Sequence, residues 1–248
     1  MIKFFRLIRQ RLLSENKFSK YLLYAIGEIV LVVIGILIAL SINNKNEQHK
    51  LNKKEQGLLK ELNLDFRYNR MQLDSLIYYN KFAKQGGDRL LKKILLIESN
   101  NQDINTLDQE VRDSLKQYFI ESSYTWTFNP KNGTINSIIN SSALDIIKND
   151  SLRRAIISWN DVLGDYLEDE RAHAQVLNSF FDWSRFNFNF IEDEFHSDNV
   201  DIFFSKEHKN FLKEFDWTIR DLLVSVESEG VIDLVDAIIT LTEKEIME

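Results

Sequence analysis

Two places in the chain carry side chains that could do chemistry. The first is Glu170-Arg171-Ala172-His173, a carboxylate and an imidazole at i, i+3, the spacing of a ligand pair in a metal-binding helical bundle. A carboxylate-bridged dimetal centre needs a second such pair and further glutamates on facing helices. The nearest match, Asp193 with His196, has the shorter carboxylate and falls in a loop-like stretch. Glu170 and His173 therefore read as a polar layer that fixes helix register, and no metal is expected. The second place is Glu28, the one charge inside the apolar run Tyr21–Ile42. At 1.5 Å per residue it lies roughly 10 Å into that run, where a carboxylate costs ~3 kcal/mol unless paired or protonated. Three roles suit it: a polar lock between helices, a carboxylate that reaches the interface or pairs with nearby basic residues, and a proton or ion site. The first is the expectation. Ser205 and His208 stand close together without the setting of a hydrolase nucleophile. The sequence has no Cys, which removes cysteine nucleophiles, disulfides, zinc-thiolate and iron–sulfur sites. No catalytic group and no cofactor is expected, and the chain reads as non-enzymatic.

The elements that must position these residues are helices. The 248 residues contain one Pro and eight Gly, too few for sandwiches, barrels or Gly-rich phosphate loops. A hydrophobic share of 44% with 28% charged residues is that of a folded chain. Net charge is −7, which disfavours the whole molecule as a nucleic-acid binder.

Tyr21–Ile42 is 22 residues long and as a helix rises roughly 33 Å, enough to cross a ~30 Å hydrocarbon core. Residues 1–20 set Lys3, Arg6, Arg9, Arg11, Lys17 and Lys20 against Glu15, a net of +5. Residues 43–55 set Lys45, Lys50, Lys53 and Lys54 against Glu47 and Glu55, a net of +2. The denser positive side stays inside, so the expectation is a cytoplasmic amino terminus and an outward-facing remainder. Ala39-Leu40-Ser41 loosely fits a signal-peptide cleavage site, but the segment before the apolar run is long for a signal peptide, so an uncleaved anchor is expected. Ile2, Phe4, Phe5, Ile8, Leu12 and Leu13 share one broad helical face away from the basic residues. Residues 1–20 thus read as an interfacial helix held by apolar insertion and anionic lipid. Within the run, Gly35 and Ala39 form a small-xxx-small pair and Gly27 adds another small position, which suits close helix approach.

The run FFRLIRQRLLSENKFSKYLLYAIGEIVLVVIGILIALSINN resembles the start of a single-span family of unknown function common in Bacteroidota. A looser likeness continues in FNPKNGTINSIINSSALDIIKNDSLRRAI, where Ala143 stands in place of the glycine of the family's Ser-Ser-Gly turn. The resemblance implies a protein of a Gram-negative inner membrane that faces the envelope, and it implies no activity.

Beyond the run, Leu51, Leu58, Leu62, Phe66, Leu73 and Leu76 predict a helical stalk over 43–85, broken at Gly86-Gly87 with Asp88 as a cap. Residues 86–248 read as a periplasmic all-α domain. Its expected parts are a second stretch to about Ser99, a helix capped by Thr106 with Gln109, and an aromatic crossing loop or short strand at 124–133. Short turns capped by Thr134 and Ser142 follow, then a long helix from Asp150 or Ser151. That helix carries the seam Leu152, Ile156, Trp159, Leu163, Tyr166, Glu170, His173, Leu177 and Phe180. A loop over 185–204 leads to a last helix from Ser205, kinked at Gly230. The four Trp and 17 Phe are expected in the core and the inter-subunit surface, with a ligand pocket as the alternative.

The resulting expectation is an all-α, single-pass inner-membrane protein: interfacial helix, transmembrane helix, helical stalk and extracytoplasmic bundle. It would serve as a structural or accessory component of an envelope complex, as a homo-oligomer or accessory subunit, with anionic lipid as a partner and no nucleic acid. A carboxylate-bearing subunit of an ion-driven machine and a periplasmic ligand-sensing module are the alternatives.

Overall fold

The computed structural model describes residues 18–189 and 197–246. Lys3, Arg6, Arg9 and Arg11 of the basic arm, and Asp193 and His196, lie outside the described residues. Every element among those described is helical. The chain divides into two compact units, Met1–Glu55 and Gln56–Glu248. The first helix, α1, runs Phe18–Ser99 and contributes to both.

In the first unit, α1 is long and apolar enough to cross a membrane. Its most apolar 18-residue window has a mean hydropathy of 2.8, and none of that window is buried. Leu23, Ile29, Leu31 and Ile36 are each more than 60% exposed, so nothing among the described residues covers this apolar surface.

In the second unit, α1 presents an unbroken inward seam. Leu59, Leu62, Phe66, Asn69, Leu73, Leu76, Asn80, Ala83, Leu90, Ile94 and Ile97 are all buried, at steps of three and four with Gly87 filling the one missing place. Residues expected in a stalk thus lie in the core of the unit. The break expected at Gly86-Gly87 does not occur. A Cβ on Gly86 would stand 2.6 Å from the Ser122 nitrogen and 2.7 Å from the Glu121 Cβ, and one on Gly87 would stand 3.2 Å from the Phe215 ring. The two glycines serve close packing, and Asp88 caps nothing; it pairs with Lys84 one turn back. Gly86→Ala should therefore lower stability by about 1–2 kcal/mol, because the clash with backbone outweighs the ~1 kcal/mol gain in helix propensity. A thermal melt that rises instead would show that the close approach is not needed.

A 3-10 turn at Ile104–Thr106 precedes α2, Gln109–Ser122. Asp108, rather than Thr106, caps α2, accepting from the Val111 N–H. After the non-helical stretch come α3, Gly133–Ile139, and a 3-10 turn, Ser142–Ile146. The residue before α3 is Asn132, which makes no side-chain cap bond, and Ser141 caps the turn, so Thr134 and Ser142 are not the caps. The longest helix of this part, α4, spans Asp150–Asn187, with Asn149 accepting from the N–H groups of Ser151 and Leu152. It extends into the expected loop, where α5, Ser197–Phe203, also lies. The expected kink at Gly230 is a full break between α6, Lys206–Ser228, and α7, Val231–Glu245. Gly230 takes a positive φ of 74° there, which only glycine adopts freely. α4 packs along both α6 and α7. Trp159 is fully buried, edge-on to Phe66 at 4.8 Å, with its Nε1 donating to Asn132.

Candidate functional site

Three arrangements position the residues singled out from the sequence. The first is on α1 in the first unit. Glu28, Val32, Gly35 and Ala39 follow one another at steps of four, three and four, and so fall on one stripe of the helix. Val32, Gly35 and Ala39 are exposed and Glu28 is half-buried. A Cβ on Gly27 or on Gly35 would meet open space, so neither glycine is needed for packing among the described residues. The stripe combines small residues, which let a second helix come close, with a carboxylate able to hydrogen-bond across the contact.

The second arrangement is the polar layer on α4. Glu170 and His173 share a face but do not act as a pair. The Glu170 Oε1 accepts from the Phe128 backbone N–H at 2.6 Å and from the Tyr166 hydroxyl at 3.0 Å. Burial raises the Glu170 carboxyl above its usual range, against the pull of those two donors and of Arg171. Burial, with the Glu170 charge beside it, also pushes the Tyr166 hydroxyl far up, so it stays a donor at any physiological pH. His173 faces α6, its Nδ1 2.9 Å from the Thr218 hydroxyl. Burial holds it down at about 4, a neutral imidazole. Among the described residues no three His, Asp or Glu side chains converge as metal ligands would.

Glu170 thereby anchors the non-helical part of the aromatic stretch, residues 124–132, a strap laid along α1. The Asn80 side chain donates to the Trp126 carbonyl and accepts from its N–H, at 2.9 and 2.8 Å. Asn69 does the same for Lys131, at 3.2 and 2.7 Å. Eleven residues of helix rise about 16.5 Å, and five extended residues span about the same length. Two carboxamides three turns apart on α1 therefore grip two peptide groups five residues apart on the strap. Each copies the two-bond pairing of one strand residue with another.

The third arrangement is an aromatic cage around His208 on α6. Its ring lies 5.2 Å from Phe203, 6.0 Å from Phe180 and 6.4 Å from Trp183, the last nearly parallel to it. The Nδ1–H donates to the Phe203 carbonyl at 3.0 Å. Burial outweighs that bond and holds His208 at about 4. Neither His208 Nε2 nor His173 Nε2 has a hydrogen-bond partner among the described residues. Of the other tryptophans, Trp126 stacks on Tyr79 at 5.1 Å and is partly exposed, as is Trp217.

The sequence motif that continues beyond the span opens with FNPKN, which is the carboxyl half of the strap that α1 and α4 hold in place. A family model described as a family of unknown function, DUF6090, matches residues 28–214. The chain belongs to this family. In the DUF6090 match, the stripe that begins at Glu28, the strap with Asn69, Asn80 and Glu170, and His173 and His208 are all included, while α7 lies beyond it. No curated protein and no solved structure matches the DUF6090 chain. The strap anchors were missed in the sequence because Asn69 and Asn80 look like polar interruptions of a helix. Their position on the buried seam at three-and-four spacing is the signal that could have found them. His208 is similarly legible as the first member of a seam that continues through Leu212, Phe215, Ile219, Leu222 and Val226.

Proposed function

We propose that this DUF6090 protein is a non-enzymatic, single-pass inner-membrane protein that acts as a structural or accessory component of an envelope complex. The span is 21–42, the basic arm 1–20 lies on the cytoplasmic leaflet against anionic lipid, and the helical unit is periplasmic. Assembly, as a homo-oligomer or as an accessory subunit, runs through helix–helix contacts on the Glu28, Val32, Gly35 and Ala39 stripe. The observation that supports this reading is an apolar helical segment whose most apolar window holds no buried residue, with small residues aligned on one face. The charge asymmetry of +5 against +2 across the span supports the orientation. Glu28 also favours a second reading, a subunit of an ion-driven machine, since a carboxylate at that depth can carry a proton.

Topology is an all-or-none test. A reporter active only in the periplasm, fused after Glu248, should be fully active. Activity only from a cytoplasmic reporter at the same place would reverse the orientation and the localisation with it.

A further inference from the structure

The helical unit contains a partly open apolar hollow. It lies where α2, α4 and α6 meet and has a volume of about 140 Å³. One wall is the Phe180–Phe211 pair, whose rings stack on each other at 3.9 Å and 17°. Phe119 and Leu177 close the remaining apolar sides. Phe181 also lines the hollow and is 51% exposed. An apolar cavity of about 150 Å³ is large enough to take up a benzene ring.

The polar groups at the rim select further. Ser122, Ser123 and Ser184 line the hollow, and each hydroxyl proton is already given to a backbone carbonyl: Phe119 at 2.7 Å, Ile120 at 2.6 Å and Phe181 at 2.9 Å. What these hydroxyls offer a guest is lone pairs. We propose that the hollow is a binding site for a small molecule with a single aromatic ring and one hydrogen-bond donor, of phenol size and type. The ring packs against the Phe180–Phe211 pair, and its O–H or N–H donates to a rim serine. A charged group is not required, and the volume matches a single ring. This site is independent of the span, so it stands or falls apart from the membrane reading.

The test uses the full chain in lipid nanodiscs and 19F NMR of 4-fluorophenol, with empty nanodiscs to subtract partition into lipid. Saturable one-to-one binding is expected, with fluorobenzene, which lacks the donor, at least threefold weaker. Leu177→Phe and Thr125→Ile each place added carbon in the hollow and should weaken 4-fluorophenol binding at least tenfold. Thr125 makes no side-chain bond to the core among those described, so Thr125→Ile carries the test if Leu177→Phe fails to fold. A signal equal to that of empty nanodiscs, or wild-type binding in the folded filling variants, would overturn the site. Equal affinity for fluorobenzene would overturn the donor-bearing ligand class.

Discussion

Lowering the pH from 7 to about 4.5 should destabilise the helical unit by several kcal/mol. His173 and His208 are both buried and held at about 4, against ~6.5 for an exposed imidazole. As pH falls through ~6.5 the unfolded chain takes up a proton at each ring while the folded chain does not. The unfolded state therefore gains over the window from ~6.5 down to about 4, and stability falls with it. At 1.36 kcal/mol per unit, each imidazole removes up to about 3 kcal/mol, and above ~7 the effect vanishes. Glu170 works the other way, because its raised carboxyl protonates more readily in the folded chain and so favours folding as the pH drops. Asp216, whose own burial is outweighed by Lys84, is lowered, and its contribution is lost only below the ordinary carboxylate range. Thermal melts followed by circular dichroism at pH 7, 6 and 5 give the profile. His208→Phe should flatten part of it while costing about 1–2 kcal/mol at pH 7, since the Phe203 carbonyl loses its donor. A wild-type melting temperature constant from pH 7 to 5 would show that these rings are not held neutral.

Gly35→Leu should weaken association of the full chain about tenfold in mild detergent or nanodiscs. A leucine on the stripe keeps a second helix from the close approach that glycine permits, and packing is what drives helix association in lipid. Glu28 separates the two readings of the span. Gln keeps the shape and hydrogen-bonding capacity of a protonated carboxyl but cannot ionise. If Glu28 holds helices together, Glu28→Gln should assemble as wild type, whereas Glu28→Leu should weaken assembly by about fivefold, the equivalent of ~1 kcal/mol. An intact Glu28→Gln complex that has lost its function in cells would move the account to ion coupling. Sedimentation or native mass spectrometry measures both variants.

Physical reasons separate what was legible in the sequence from what was not. The apolar run was plain because a membrane-length helix needs no neighbours to reveal its pattern. The α4 seam was legible because a helix covered on one side shows a three-and-four repeat. Even so, at its end the buried position is Val176 rather than the expected Leu177, a shift of one residue as the helix turns against α6. Gly86-Gly87 misled because glycine marks a chain break and a close approach alike, and only the distance to Ser122 distinguishes them. Helix starts slipped by two residues where several capping side chains crowd together, as at Thr106 and Asp108. The strap anchors were hidden because their bonds join residues 46 and 62 positions apart, and no local repeat records that. Glu170 and His173 were found by spacing, yet their partners come from two different elements, Phe128 of the strap and Thr218 of α6.

The central claim, that the chain spans a membrane and associates along one face of the span, is tested most directly by cysteine cross-linking. The natural chain has no Cys, so single replacements report without background. In native membranes, Val32→Cys, Gly35→Cys and Ala39→Cys should give disulfide-linked dimers on mild oxidation. Val33→Cys and Leu37→Cys, on the opposite side of the helix, should give few. Cross-linking that ignores the helical period, or none at any of the five positions in well-expressed protein, would contradict it.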